Sequence, residues 1–187
     1  MEIRPWSCWG PPARQVRLSC LFAAIAYSWR QLKPGCAMSI QSPMEMALTL
    51  AAEAADHGEA PVGAVVMEGE RVLAAERNRM KALNDPTAHA EMLAIRTALA
   101  VRGSGRLDGC DLYVTLEPCA MCAGAIAHLR LRRVYFAAED IKAGAVENGV
   151  RLFEQPSCHH SPEVIGGIGA ARSEAMLQGF FRGLRKG

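Results

Sequence analysis

The sequence predicts a three-layer α/β/α domain, with helices on both faces of a mixed central sheet of about five strands. Two observations carry that expectation. Short apolar or β-branched runs at 61–66, 71–75, 111–116 and 133–138 alternate with longer segments whose apolar residues recur at helical spacing. The order helix, hairpin, helix, strand, helix, strand, helix then makes the sheet mixed and covers both of its faces.

Each element has a local reason. Ser42-Pro43-Met44-Glu45 reads as a capping box with proline at the first helical position. Met46, Ala47, Leu50, Ala51 and Ala54 follow at helical spacing and Gly58 ends the run, giving a helix over 43–57. Pro61 to Val66 is a buried strand, Glu68-Gly69-Glu70 a hairpin turn and Arg71 to Ala75 the returning strand. Residues 78–87 read as a loop. Asp85 with Pro86 behind it signals the start of a helix over 87–100. Asp111 to Leu116 is a third strand, Pro118 opens a helix through Leu129, and Arg133 to Ala138 is a fourth strand. Residues 144–169 are irregular, with a last short strand near Glu163–Ile168, and 170–185 form an amphipathic helix.

Composition sets bounds on function. Half the residues are hydrophobic and 21% are charged, as in ordinary globular domains. A net charge of +2 does not by itself mark a nucleic-acid binder, which would need its cations gathered on one face. Seven cysteines without compact regular spacing argue against a disulfide scaffold and for a reducing compartment, and the cytoplasm is the expected location. No apolar run is long enough to span a membrane, so no membrane association is expected.

Residues 1–37 differ from the rest. They hold all three tryptophans and three cysteines, with five basic side chains against the single acidic Glu2. The apolar run Leu18–Trp29 resembles a signal-peptide core, but Arg30 and Lys33 follow it and Pro34-Gly35-Cys36 is no small-x-small cleavage site. The expectation is an extension outside the fold, translated from upstream of a start at Met38. A targeting segment and a packed arm are the alternatives. Residues 38–187 are expected to form the domain.

The chemistry lies in His89-Ala90-Glu91 and Pro118-Cys119-Ala120-Met121-Cys122. His89, Cys119 and Cys122 offer Zn²⁺ one imidazole and two thiolates, leaving the fourth tetrahedral position open, which is a catalytic rather than a structural arrangement. Cys119 and Cys122 are three apart and share one face of a first helical turn, where the helix dipole favours thiolate. His89 and Glu91 are about 200° apart around a helix. Both reach one ion only if it lies off the helix end, so two helix starts must abut. Glu91, unligated, is the expected general acid/base. A C-x-x-C alone is often structural zinc or a redox pair, and Cys158-His159-His160 holds further potential ligands. Because three ligands already complete the site, that second segment is expected to be structural or RNA-facing. The joint pattern H-x-E…P-C-x-x-C is the signature of zinc-dependent deaminases.

From residue 42 onward the chain resembles the bacterial tRNA adenosine deaminases of the TadA type, within the cytidine deaminase-like superfamily. The resemblance runs through Pro61-Val62-Gly63-Ala64, Asn84 to Glu91, Leu112 to Gly124 and Phe180-Phe181-Arg182. It implies a homodimer with one Zn²⁺ per subunit, acting on a flipped-out base in a tRNA anticodon loop. The implied reaction is hydrolysis of adenosine to inosine at the wobble position of an arginine tRNA. By position, Asn78 matches the asparagine that hydrogen-bonds the purine, and Val62 the residue packed on the base. The backbone of Ala90 lies between the catalytic side chains. Asp140 and Lys142 match the loop lining the RNA groove, and Phe180 and Arg182 the helix touching loop nucleotides. Arg130, Arg132, Arg133, Arg182, Arg185 and Lys186 form an RNA-facing patch if the fold gathers them. A deaminase of free guanine or cytosine and a non-catalytic zinc-stabilised RNA-binding subunit are the competing readings.

Overall fold

A computed structural model describes residues 41–185, so the expectation for residues 1–37 lies outside the described residues. Helix α1 (Pro43–Asp56) precedes strands β1 (Gly63–Glu68) and β2 (Arg71–Arg77). A four-residue helix α2 (Met80–Leu83) leads to α3 (Ala90–Arg102), β3 (Cys110–Leu116), α4 (Ala120–His128) and β4 (Arg133–Ala138). After a 3₁₀ turn at Leu152–Glu154 come β5 (Glu163–Ile165) and α5 (Ala170–Leu184).

The five strands form one sheet in the order β2-β1-β3-β4-β5. β1 is antiparallel to β2 and β3, while β3–β4 and β4–β5 are parallel, so the sheet is mixed as expected. Strand alternation divides the core in two. Ala64, Val66, Leu112, Val114, Val134 and Phe136 pack with Ala94, Ile95 and Ala98 of α3 and with Ala123 and Ile126 of α4. Their neighbours Val65, Met67, Tyr113, Tyr135 and Ala137 face Met44, Ala47 and Leu48 of α1 and Met176 of α5 on the other side. Two helical layers on one sheet follow directly from this period of two.

Several boundaries differ from expectation. Ser42 does cap α1, its Oγ accepting from the Glu45 N–H at 3.2 Å, but the Glu45 carboxylate leaves the capping box and pairs with Arg172 of α5 at 2.5 Å. Asp85 does not cap α3. Its Oδ1 accepts from the Thr87 N–H and hydroxyl at 2.8 and 2.7 Å, closing a tight turn instead, and α3 begins at Ala90. Residues 78–87, expected as a loop, contain α2, which Asn84 ends in the left-handed conformation at φ 48°. α4 begins at Ala120 rather than Pro118, and β5 is only three residues long.

One glycine is demanded by packing. A Cβ on Gly63 would meet the Ala47 carbonyl oxygen and lie 2.8 Å from both the Ala51 nitrogen and the Leu50 Cβ of α1. Backbone cannot swing aside as a side chain does. Gly63→Ala is therefore expected to cost about 3 kcal/mol and lower the melting temperature by roughly 10 °C, checked by calorimetry.

Candidate active site

Two helix starts meet at the centre of the site. His89 is the N-cap of α3 and Cys119 the N-cap of α4, and neither side chain is spent on capping its own helix. The imidazole and the thiol are thereby available to an ion lying off both helix ends, while Cys122 enters from the first turn of α4. His89 Nδ1 lies 3.8 Å from Cys119 Sγ and 3.6 Å from Cys122 Sγ, and the three ligand atoms are all within 4.8 Å of one another. A tetrahedral zinc with ordinary bond lengths holds nitrogen and sulfur about 3.6 Å apart, so both nitrogen–sulfur separations suit zinc.

The electrostatics set one thiol apart from the other groups of the site. Hydrogen bonds from the Cys122 thiol and from His89 lower the Cys119 pKa to about 3, so Cys119 is thiolate. The same hydrogen bond with Cys119, followed by burial, pushes the Cys122 thiol up. The Cys119 contact also raises the His89 pKa against the opposing effect of burial. Glu91 is 4% exposed, and burial pushes its carboxyl up. A buried carboxyl with a raised pKa beside a metal cluster can both take and return a proton.

The other expected site residues are arranged around this cluster. Asn78 follows β2 and is buried; its N–H donates to the Val62 carbonyl at 2.9 Å, and the next N–H, of Arg79, donates to Ala88 just before His89. Backbone bonding thus gathers Val62, Asn78 and the His89 segment, and Ala90 is fully buried beside them. Asp140 and Lys142 lie on a loop that bridges to Cys119 through Gly144. The Asp140 Oδ1 accepts from the Lys142 and Ala143 N–H groups at 3.0 and 3.1 Å, and Lys142 is exposed. Phe180 is half-buried, with Lys81 of α2 5.8 Å over its ring, and Arg182 is exposed.

The expected basic patch is reduced. Arg132 pairs with Asp111 at 2.6 Å and Arg133 with Glu163 at 2.5 Å, so two of its members are already neutralised, and Lys186 lies outside the described residues. His160 Nε2 donates to the Leu131 carbonyl at 2.7 Å and the Cys158 thiol to the His160 carbonyl at 3.1 Å. Cys158-His159-His160 therefore ties the 155–160 segment to the strand β4 approach, and among the described residues only His89, Cys119 and Cys122 form a metal-ligating group.

Two carboxylates escaped the sequence reading. Glu59, 2% exposed, accepts from Asn78 Nδ2 at 3.3 Å and from the Ala82 N–H at 2.8 Å. A carboxylate only accepts, so it orients the Asn78 amide with Nδ2 toward itself and Oδ1 away. Glu117, also 2% exposed, stands between β3 and Pro118. The available signal was an acidic residue set among apolar ones beside a proline, which is buried only when donors converge on it.

With the geometry in place, the relatives decide the family. The model for the cytidine and deoxycytidylate deaminase zinc-binding region matches residues 38–138. A tRNA-specific adenosine deaminase of Agrobacterium fabrum (strain C58) is 52% identical over 139 residues, 74% of this chain and 91% of that protein. The chain belongs to the zinc-binding cytidine and deoxycytidylate deaminase family, among its TadA-type members. It is an enzyme of hydrolytic deamination, and its cofactor is zinc. A solved structure from studies of A-to-I editing by tRNA:A34 deaminases at the wobble position superposes with a TM-score of 0.71 at 52% identity, covering 72% of this chain and 98% of that one. A guanine deaminase of Bacillus subtilis is more distant, with a TM-score of 0.53 at 33% identity over 80% of this chain and 96% of that one. No helix among the described residues is long and apolar enough to cross a membrane.

Proposed function

We propose that this enzyme deaminates adenosine to inosine, with zinc required, at the wobble position in the anticodon loop of an arginine tRNA, as a cytoplasmic homodimer. The observation that carries the chemistry is the buried Glu91 beside a cluster of three metal-ligating side chains, one imidazole and two thiols. What supports the substrate is the name and high identity of the Agrobacterium relative, together with the Val62–Asn78 edge beside the cluster.

Zinc held by His89, Cys119 and Cys122 supplies a Lewis acid that lowers the pKa of water from 15.7 to about 7. Glu91 then accepts the proton of the attacking water as oxygen bonds to C6 of the purine, and passes that proton to N1. It next carries the new hydroxyl proton to the exocyclic amine. The C6–N bond breaks, ammonia leaves, and inosine remains. Asn78 holds the purine edge through its oriented amide, Val62 packs on the base, and the Ala90 backbone lies between the two reacting side chains. Asp140, Lys142, Phe180 and Arg182 contact the flanking nucleotides of the loop.

The test supplies an arginine tRNA with an ACG anticodon and, separately, free guanine, cytosine and adenosine, with inosine or ammonia measured. Inosine at the wobble position and slow turnover of the free compounds is expected. Rapid release of ammonia from guanine or cytosine without inosine in the tRNA would assign the enzyme to the free-base class instead.

A further inference from the structure

Glu117 gathers more hydrogen bonds than any other carboxylate among the described residues. Its Oε1 accepts from three consecutive N–H groups, those of Val146, Glu147 and Asn148, at 3.1, 2.9 and 2.9 Å. Its Oε2 accepts from the Asp140 N–H at 3.0 Å and from Asn148 Nδ2 at 2.7 Å. The loop 140–148 therefore begins and ends on the same buried anion. Successive N–H groups converging on one oxygen form an anion-binding concavity, here filled by the chain's own side chain.

The same loop is laid against the metal-ligand segment. The Ala145 N–H donates to the Pro118 carbonyl at 3.0 Å, and Gly144 bridges to Cys119. The Glu117 N–H donates to Ala138 at the end of β4 at 2.8 Å. No side chain fits at position 144, where a Cβ would lie 2.5 Å from the Glu117 carboxylate and would also strike the Asp140 carbonyl. Nothing in this arrangement makes Glu117 a ligand or a proton carrier. Its bonds go to the loop, and through the loop to the residues at its exposed tip.

We propose that Glu117 is a positioning residue for substrate. Its carboxylate sets where Asp140 and Lys142 stand relative to the metal cluster, and so controls how the polynucleotide is seated. This rests on the reading that the 140–148 loop touches RNA.

Glu117→Gln separates positioning from chemistry. The amide oxygen retains the three donors of 146–148, while the NH₂ group faces the Asp140 N–H and Asn148 Nδ2, turning two hydrogen bonds into donor–donor contacts. The holoenzyme variant is expected to keep its zinc and its kcat within about threefold, while KM for the tRNA rises roughly tenfold or more, as loss of buried hydrogen bonds requires. Glu117→Gln with Asn148→Asp reverses one pair, so that amide donates to carboxylate, and should recover part of the KM. Asn148→Ala removes one donor with the anion intact; it should raise KM about threefold, and it decides the matter if Glu117→Gln fails to fold. Loss of zinc, a fall in kcat with KM unchanged, or no change in KM in either folded variant would overturn the proposal. Wild-type enzyme inactive on tRNA would instead sink the substrate reading, so the two failures are distinguishable.

Discussion

Glu91→Gln removes deamination while leaving zinc in place. The amide has the carboxylate's shape and occupies the same buried position, so packing around α3 is preserved and the three ligands are untouched. What disappears is the buried carboxyl beside the cluster that accepts a proton and returns it. General acid–base catalysis contributes up to about 10⁴-fold, and here one group serves both halves of the reaction, so a fall of at least ~10³ in kcat is expected. Each tenfold is about 1.4 kcal/mol of barrier, so the lost stabilisation is at least ~4 kcal/mol. Single-turnover kinetics with metal analysis on the same sample provides the check. Activity within tenfold of wild type would remove Glu91 from the mechanism.

Removing the metal has the second large effect, and its pH dependence has a definite sign. Chelation, or Cys122→Ala, is expected to abolish activity, and wild-type enzyme should recover when zinc is returned. Without metal, Cys119 is already thiolate, whereas the Cys122 thiol keeps its proton and His89 stays protonated to a higher pH than a free imidazole. Zinc must displace those protons. Protons therefore compete with the metal over the whole range below the raised pKa values, and the competition strengthens as pH falls. Apparent zinc affinity should weaken by about tenfold per pH unit for each proton displaced, and loading should acidify a weakly buffered solution. A zinc affinity flat between about pH 5.5 and 7.5 would contradict the proton inventory of the cluster. The three ligands also join α3 to α4, so metal-free protein should melt at lower temperature.

Much of this molecule is legible in its residues. The order of helices and strands already predicts a sheet covered on two sides, and Val65 and Val66, like Tyr113 and Val114, do enter opposite cores. The spacing of His89, Cys119 and Cys122 already requires two abutting helix starts, and the structure has His89 and Cys119 as the N-caps of α3 and α4. Other features escape a linear reading because they depend on competition or on distant partners. Asp85 carries a good capping signal, yet Thr87 two residues on offers its carboxylate closer donors, and the helix starts later. Arg132 and Arg133 count as free cations until Asp111 and Glu163 are brought against them.

The class of reaction and the His/Cys/Cys group were legible in the sequence by itself, which also singled out Glu91 as the candidate acid/base group. Metal coordination and proton transfer are properties of residue types at short spacing, and two short motifs contain them. Only the tertiary structure decided how the polar groups around the cluster are held. The orientation of the Asn78 amide depends on Glu59, nineteen residues away, and the shape of the 140–148 loop on Glu117, up to thirty-one residues away. A buried carboxylate is tolerable only where donors converge on it, and that convergence exists only once the chain has closed.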